Sequence, residues 1–384
     1  LMIYYGLQLI HPSIFLFVAC VVCIIVSLCT GSSWSTSGTI GIALIAIGKT
    51  LGIPEGMVAG AVISGAYFGD KMSPLSDTTN LAPAMVDTDL FTHIRHMVYT
   101  SGPAIVLALL GFLILGFFYQ GTMTPGNEID EVLQVIRTNF NVTPWLLSVP
   151  LMVIGMVALR MPALPALTIG VLLGAVAIAV FQGDLLAERS GGGIDGAYRV
   201  ILTTAADGFE SHTGNERIDK LFSRGGMASM LSTIWLIICA MVFGGMLEAC
   251  GMLQRIADSI LSMVRGTGSL IGAVLATCIF TNMTASDQYI AIVVPARMFK
   301  DAFRKRRLHA KNLSRAVEDA GTVTSVLIPW NTGGAYHASV LDVSTLTYLP
   351  YCFFNLLSPL VSAFLAGMNW SIERLSKESV EAKE

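Results

Sequence analysis

The sequence predicts an all-α polytopic membrane protein with inverted-topology repeats, re-entrant hairpins and proline-broken discontinuous helices. Hydrophobic residues make up 54% of the 384 residues and charged residues only 13%, whereas typical soluble domains carry about 25% charged residues. Apolar runs of a length suited to a bilayer recur along the chain, since a crossing helix needs about 20 residues. A repeated order of short apolar arms and polar interruptions predicts the repeats.

The first half begins with two short apolar arms around a hydroxyl-rich cluster. The arms cover residues 13–29 and 40–47, and the cluster covers 31–39. Each arm is at or below the roughly 17 residues that a full crossing needs. We therefore expect a re-entrant hairpin with a polar tip.

A polar stretch interrupts the next apolar run. Residues 56–69 lead into Gly-Asp-Lys-Met-Ser-Pro-Leu-Ser-Asp-Thr-Thr-Asn at 69–80, and an uninterrupted span follows at 97–119. Because Pro74 lacks a backbone donor and clashes with the preceding turn, the helix must break near it. Charge and irregular backbone at membrane depth are tolerated only inside protein or along a water-filled cavity. This stretch is therefore expected to form part of a transported-ion site.

The second half repeats this order of parts and adds three spans before its hairpin. The three added spans and the last span cover residues 145–159, 164–181, 227–247 and 346–366. The second hairpin has the polar tip 281–288, and the second broken helix stops at Pro329 before the polar residues 330–337. Pro74 thus corresponds to Pro329. Such repeats are expected to be weak in sequence.

The distribution of charge predicts opposite orientations for the two repeats. Basic residues crowd the loop before the second broken helix: Arg297, Lys300, Arg304, Lys305, Arg306, Arg307, Lys311 and Arg315. The equivalent loop of the first half carries only Lys49 and Glu55. Since cytoplasmic loops are enriched in Lys and Arg, we expect the basic loop 299–315 inside the cell and its counterpart outside. The protein is predicted to lie in the cytoplasmic membrane with a cytoplasmic C-terminus.

These segments divide the chain into domains. Residues 1–119 form an incomplete first repeat, 120–143 an external loop, 144–367 the second repeat and 368–384 a cytoplasmic tail. The second repeat includes an external polar loop at 183–226. Because the first half has no counterpart of the three added spans, we expect on the order of a hundred further residues upstream.

The two tips and the two broken helices are expected to converge near the membrane midplane. Free helix N-termini there offer N–H groups to anions, and free carbonyls coordinate small cations. The expected ion-binding side chains are Asp77, Asp287, Asn80, Thr78, Ser35, Thr36, Asn282, Thr284, Asn331 and Thr332. Oxygen ligands with few carboxylates suit a hard cation such as sodium and argue against a transition metal. No cofactor is predicted.

The candidates for proton coupling are the acidic residues Asp77, Asp287, Asp70 and Asp319. A low-dielectric site disfavours the charged carboxylate, so such a group can hold either a proton or a cation, and this competition suffices for exchange. Asp77 and Asp287 lack basic neighbours in sequence, although each could instead cap a helix. Asp70 could pair with the adjacent Lys71, which makes Asp77 the preferred ligand. Glu318 is expected at the membrane interface.

Four motifs carry a family resemblance. They are Gly-Ser-Ser-Trp-Ser-Thr-Ser-Gly-Thr-Ile-Gly at 31–41, Tyr-Phe-Gly-Asp-Lys-Met-Ser-Pro-Leu-Ser-Asp-Thr-Thr-Asn at 67–80, Phe-Thr-Asn-Met-Thr-Ala-Ser-Asp-Gln at 280–288 and Ile-Pro-Trp-Asn-Thr-Gly-Gly at 328–334. These residues resemble the NhaC family of sodium/proton antiporters. The resemblance implies sodium efflux in exchange for protons on the inverted-repeat fold of the ion-transporter superfamily. Relatives in this family also exchange malate for lactate.

The preferred hypothesis is a secondary transporter that exchanges sodium for protons by alternating access. The alternative is a sodium- and proton-coupled exchanger of malate, lactate or another small organic anion, for which Lys71 would be the intramembrane base. A channel would need a continuous pore, usually with oligomeric symmetry, and no nucleophile–base pair or metal motif indicates an enzyme. The expected partners are sodium, protons and the lipid bilayer, without nucleic acid; a homodimer is left open.

Overall fold

The computed structural model describes residues 12–119, 134, 137–159, 161, 163–191, 193–211, 219, 223–262 and 264–375. The helices of eight or more residues in this part of the chain are α1 (Phe15–Thr30), α2 (Ile42–Thr50), α3 (Glu55–Met72), α4 (Asp77–Met85), α5 (Leu90–Phe118), α6 (Ser148–Ala158), α7 (Ala163–Phe181), α8 (Gly183–Ser190), α9 (Ile194–Asp207), α10 (Leu231–Ala249), α11 (Met252–Ser262), α12 (Thr267–Thr284), α13 (Gln288–Lys305), α14 (Ala310–Val317), α15 (Thr332–Leu341) and α16 (Phe353–Gly367).

Shorter elements connect these helices. Single turns of helix lie at Pro12–Ile14, Ser33–Thr36, Pro144–Leu147, Met227–Met230, Ser325–Leu327, Thr345–Tyr348 and Leu349–Tyr351. Two π-turns lie at Ser37–Gly41 and Glu318–Thr322. Strands β1 (Gly208–Phe209) and β2 (Arg224–Gly225) pair antiparallel. The described chain is therefore predominantly helical.

Several helices are long and apolar enough to cross a membrane. Within the described residues there are four: Pro12–Thr30, Leu90–Phe118, Met227–Leu247 and Thr267–Thr284. The number rises to six if each of two bent pairs is one span, namely Thr168–Phe181 with Gly183–Ser190 and Thr345–Tyr351 with Phe353–Gly367. Apolar side chains on the spans also face outward, as Phe118 does at 86% exposure. These features are those of a multi-pass membrane protein.

The first predicted hairpin folds as two helical segments that meet at Gly31. This residue has a left-handed φ of 67°, and a Cβ there would lie 2.6 Å from the backbone of Leu75. The predicted polar tip is helical from Ser33 onward. The first arm is longer than the sequence predicts. Its helical segment, Pro12–Thr30, is long enough to span a membrane.

The first broken helix is interrupted where Pro74 predicts. Helix α3 ends at Met72, and α4 begins at Asp77 after an extended connection. The hydroxyl of Ser76 accepts a hydrogen bond from the Thr79 N–H at 3.3 Å and so caps α4. This cap replaces part of the hydrogen bonding that the break removes.

The second broken helix is interrupted over a longer stretch. Helix α14 continues into the π-turn Glu318–Thr322, and α15 begins only at Thr332, beyond Pro329. Asn331 caps α15 by accepting a hydrogen bond from the Gly333 N–H at 3.0 Å. Both halves therefore place a capped helix N-terminus directly after a proline-containing break.

Three segments predicted as polar connections are helical instead. The external loop 183–226 contains α8, α9 and the β1–β2 ladder. Residues 87–96, whose charged and histidine residues predict a short polar connector, contain the start of α5, and His93 and His96 are buried. The basic loop 299–315 consists largely of the end of α13 and most of α14. Their polar residues share these elements with apolar residues that pack inward, and this apolar face favours helix over loop.

Arg315 and the predicted tail also depart from expectation. The Arg315 side chain is fully buried, and its Nη1 donates to the backbone oxygen of Ser371 at 3.1 Å. Lys311 forms an ion pair with Glu373, and this contact lowers the pKa of the Glu373 carboxyl. The start of the tail thus packs against α14. Most of the predicted loop 120–143, residues 160 and 162 between two predicted spans, and residues 376–384 lie outside the described residues.

Helices α1 and α3 pack closely through glycines of α3. A Cβ at Gly65 would lie 2.2 Å from the carbonyl oxygen of Cys20, and one at Gly69 would lie 2.5 Å from that of Ile24. Small residues allow membrane helices to approach at backbone distance. This contact fixes α3, which carries the first break at its end.

We expect Gly65→Ala to destabilise the protein, since its added methyl group would overlap the α1 backbone. Overpacking of this kind costs about 1–3 kcal/mol, measurable as a lower melting temperature in detergent. Gly102→Ala is the matched control, because the nearest atom to a Cβ there is Val98 Cγ1 at 3.9 Å. Equal melting temperatures for the two variants would contradict the proposed α1–α3 contact.

Candidate functional site

The buried apolar core consists of two clusters, and the second broken helix runs from one into the other. Val317 and Ala320 belong to the cluster around α12 and α13. Val323 and Val326 belong to the cluster around α1 and α3. The π-turn Glu318–Thr322 therefore lies at the junction of the two clusters, where polar side chains from both halves meet.

Asp70 connects the first break to the first polar tip. Its Oδ2 accepts hydrogen bonds from the N–H and the hydroxyl of Ser33, at 3.0 Å and 2.6 Å. Its Oδ1 is buried without a hydrogen-bond partner. The Ser76 hydroxyl and the Asp77 charge lie close enough to act on this carboxyl. A buried carboxylate oxygen that lacks a partner, surrounded by hydroxyl oxygens, is a suitable ligand for a hard cation.

The corresponding junction of the second half is built from two asparagines. Asn331 Nδ2 donates to both the backbone oxygen and the Oδ1 of Asn282, each at 3.0 Å. Asn282 Nδ2 donates to the carbonyl of Gly321 at 2.6 Å and to Thr324 Oγ1 at 3.0 Å. The Thr332 N–H donates to a carbonyl of the second tip. These bonds join the tip, the π-turn and the second break.

A buried ion pair joins the two halves. Lys71 Nζ contacts Asp319 Oδ1, and neither side chain is exposed. Lys71 also donates to Ser358 Oγ at 3.3 Å, and Asp319 Oδ1 accepts from Thr100 Oγ1 at 2.9 Å. Lys71 therefore pairs with Asp319 and not with the adjacent Asp70, the alternative that the sequence left open. Residues adjacent in a helix point in different directions, so the two side chains reach different partners.

Two further contacts cross between the halves. Tyr67 Oη lies 3.3 Å from Ser325 Oγ, and both side chains are buried. Tyr289 Oη donates to Asp77 Oδ2 at 2.5 Å. Together with the Lys71–Asp319 pair, these bonds hold the first broken helix against the second half.

The prediction that Glu318 lies at the membrane interface is wrong. Glu318 lies in the core. Its side chain is fully buried, and neither carboxyl oxygen has a hydrogen-bond partner. The hydroxyls of Thr322 and Thr78 lie nearby, as do the charges of Lys71 and Asp70. Helices α4 and α12 pack against the π-turn that carries Glu318 and shield the side chain from solvent.

The structure brings together only some of the predicted ligands. Asn282, Asn331 and Thr332 meet at the second break, and Thr78 is buried beside the Ser76 hydroxyl at 3.2 Å. The remaining predicted ligands make local contacts. The hydroxyls of Thr36 and Thr284 donate to backbone oxygens of their own helical segments, and Asn80 Nδ2 donates to the backbone oxygens of Pro74 and Ser76. The backbone N–H of Ser35 donates to Ser32 Oγ.

The two preferred carboxylates have capping contacts. Asp287 Oδ1 accepts from the N–H groups of Tyr289 and Ile290 at 2.9 Å and 3.0 Å, which is the helix cap named as its alternative role. Asp77 is exposed, and its Oδ1 accepts from the Thr78 N–H at 2.8 Å. Burial therefore favours Asp70 over Asp77, the reverse of the order expected from sequence.

The residues of this site that are absent from the predicted ligand set include Ser33, Ser76, Glu318 and Ser325. Ser33 lies in the same polar tip as the predicted Ser35 and could have been found by treating the whole tip as a candidate. Glu318 directly precedes Asp319, and two acids before a proline break are a signal for a buried site. Ser325 carries no comparable signal, because serine is common at helix ends.

Comparison with known proteins identifies related transporters. The profile of the Na+/H+ antiporter family matches residues 65–370. The Na+/H+ antiporter NhaC of Alkalihalophilus pseudofirmus is 39% identical over 361 residues, 94% of this chain and 75% of the relative. The malate-2H+/Na+-lactate antiporter of Bacillus subtilis is 38% identical over 350 residues, 91% and 72% of the two chains. The arginine/ornithine antiporter ArcD of Halobacterium salinarum is 35% identical over 374 residues, 96% and 74%.

We expect Lys71→Met to lower the melting temperature strongly, because it leaves Asp319 buried without its counter-charge. Breaking one partner of a buried pair costs about 3–5 kcal/mol, whereas replacing both can be neutral. The double variant Lys71→Met/Asp319→Leu should therefore melt higher than Lys71→Met alone. Lys49→Met is the control, since its pair with Glu55 at 3.2 Å is partly exposed and worth at most about 1 kcal/mol. Additive effects in the double variant would contradict the buried pair.

Proposed function

This chain belongs to the Na+/H+ antiporter family, and on that premise we propose that it exchanges sodium for protons across the cytoplasmic membrane by alternating access. The observation that carries the proposal is the buried Asp70 carboxylate, held by Ser33 through one oxygen while the other has no partner. A sodium ion prefers such oxygen ligands. An acid that is buried in a multi-pass membrane protein without a counter-charge indicates a functional site.

We propose that the cation site comprises Asp70 together with oxygen atoms of the first tip and the first break. Ser33 and Ser76 bring hydroxyls to this carboxyl. The amides of Asn282 and Asn331 join the second tip to the second break in the same way. The roles of Asp77 and Asp287 as ion ligands, predicted from the sequence, remain proposals.

We propose that the two halves move relative to each other and that this movement changes the contacts between them. In the inverted-repeat arrangement, which remains a proposal, the two broken helices enter from opposite faces. Alternating access then consists of one repeat moving against the other around a fixed site. The Tyr289–Asp77 and Tyr67–Ser325 bonds are the contacts we expect to change. The C-terminus is proposed to be cytoplasmic, in accord with the basic residues of α13 and α14.

We expect Asp70→Asn to abolish sodium-dependent proton movement in everted membrane vesicles. The amide keeps the size of the side chain but removes the charge that a sodium ion needs, so the rate should fall at least about a hundredfold relative to wild type. The measurement is the collapse of a preformed pH gradient on addition of sodium. Wild-type exchange by a folded Asp70→Asn protein would remove Asp70 from the site.

Asp77→Asn and Asp287→Asn test the assignment made from sequence. That assignment expects each variant to abolish exchange. Asn caps a helix about as well as Asp, so Asp287→Asn keeps the cap on α13 and removes only the charge. Exchange retained in both variants while Asp70→Asn is inactive would restrict the site to Asp70 and its neighbours.

An organic anion exchanger is the second candidate function, favoured by the name of the malate-2H+/Na+-lactate relative. An anion would need a free base in the membrane. Lys71, the base expected for that role, is paired with Asp319, and the other buried Lys or Arg of the described residues, Arg315, lies against Ser371 of the predicted tail. We therefore expect the sodium-induced pH change to be independent of malate and lactate. Proteoliposomes loaded with each compound test this, with sodium-driven radiolabel uptake as the readout. A dependence of sodium-driven flux on any of these compounds would favour the second candidate.

A further inference from the structure

We propose that Glu318 is the proton-carrying residue of this transporter and that it is separate from the cation ligand Asp70. The inference rests on the proposed sodium/proton exchange and assigns its two substrates to two carboxyls, in place of competition at one. It follows from burial, from missing hydrogen-bond partners and from the pairing of charges in the core.

Glu318 is a fully buried acid of the described core that forms no ion pair. Its side chain has no exposure, and both carboxyl oxygens lack a hydrogen-bond partner. Asp70 and Asp319 each have one partnered oxygen and one that is not partnered. An ionised carboxylate in such a place is costly, whereas the neutral acid needs no counter-charge. Asp70 accepts two hydrogen bonds from Ser33, which favour its charged form, whereas Glu318 accepts none, so burial favours the protonated acid at Glu318.

Apart from Asp287, which caps α13, the pairing of charges leaves two buried acids of the described core for two substrates. Lys71 is bound to Asp319, and the buried Arg315 bonds to Ser371 and faces the charge of Asp319. In the described part of the chain, no ion pair forms at Asp70 or at Glu318. A transported cation can neutralise the first acid, and a proton the second.

The groups around Glu318 come from four elements. Asp70 and Lys71 of α3 act on it through their charges, and the Thr78 hydroxyl faces it from α4. Cys278 of α12 is close enough to be influenced by its charge, and Thr322 faces it from the π-turn itself. The charge of Asp70 thus couples the two sites, because a cation bound at Asp70 cancels a repulsion that disfavours ionised Glu318.

This coupling gives a balanced exchange step. With the site open to the cytoplasm, the O–H bond of Glu318 breaks, its proton passes to water, and a sodium ion binds at Asp70. With the site open to the outside, sodium leaves, Glu318 is again beside a bare Asp70 charge, and it takes a proton from water. Only the Glu318 O–H bond breaks and re-forms.

The test compares two fluxes of the purified protein in liposomes, sodium/proton exchange and sodium/sodium exchange at equal pH. Glu318→Gln should reduce the first at least about tenfold while the second stays within about twofold of wild type. Asp70→Asn should lose both. Glu55→Gln, an exposed acid with a surface partner, should keep both.

Each other outcome is decisive. A folded Glu318→Gln variant that keeps sodium/proton exchange, or loses both fluxes equally, overturns the inference. If Glu318→Gln does not fold, Glu318→Asp replaces it, because this variant keeps a titratable carboxyl at a shifted position. A shifted pH dependence of exchange then supports the inference, and an unchanged one overturns it. A wild-type protein that moves no protons with sodium would instead refute the proposed function.

Discussion

The buried pair of Lys71 and Asp319 is the constraint on which the arrangement of the core depends. Two charges without exposure persist in a membrane protein only if each satisfies the other, because either alone would be costly. The pair joins the end of α3 to the π-turn and so fixes the register between the two broken helices. Asp70 and Glu318, one residue away on each side, are positioned by it. Lys71 forms its ion pair with Asp319 and with neither of them, and these are the two acids to which we assign the transported ions.

The fold was predictable from sequence to the extent that it depends on local chemistry. Hydropathy indicates the spans, and the breaks occur at Pro74 and Pro329, where a proline that disrupts the helical turn coincides with a polar stretch. Pro103, Pro295 and Pro359, which lie in apolar surroundings, are accommodated inside helices. The family predicted from the four motifs is confirmed by the comparisons. The polar connections were predicted less well, because hydropathy averaged over a segment hides an apolar face on a polar helix. For this reason α8, α9 and α14 were assigned to loops.

The site was predicted in part, and the division has a physical cause. Asn282 and Asn331 could be found because each lies beside a visible helix break. The partner of Lys71 could not, since the two side chains lie 248 residues apart and only the packing of α3 against the π-turn brings them together. The burial of Glu318 likewise depends on neighbouring helices that its own sequence does not specify. Long-range pairing therefore set the limit of the prediction.

The π-turn at Glu318–Thr322 has a consequence for how this sequence is compared with others. A wide turn holds one residue more than an α-helical turn, and each residue of an α-helix advances the helix by about 100°. Residues before and after the turn therefore follow two different angular phases. A single helical wheel drawn through residues 310–327 assigns the wrong face to one end of the segment. Alignments that place a one-residue gap in this stretch would indicate homologues in which the helix runs straight and the acids point elsewhere.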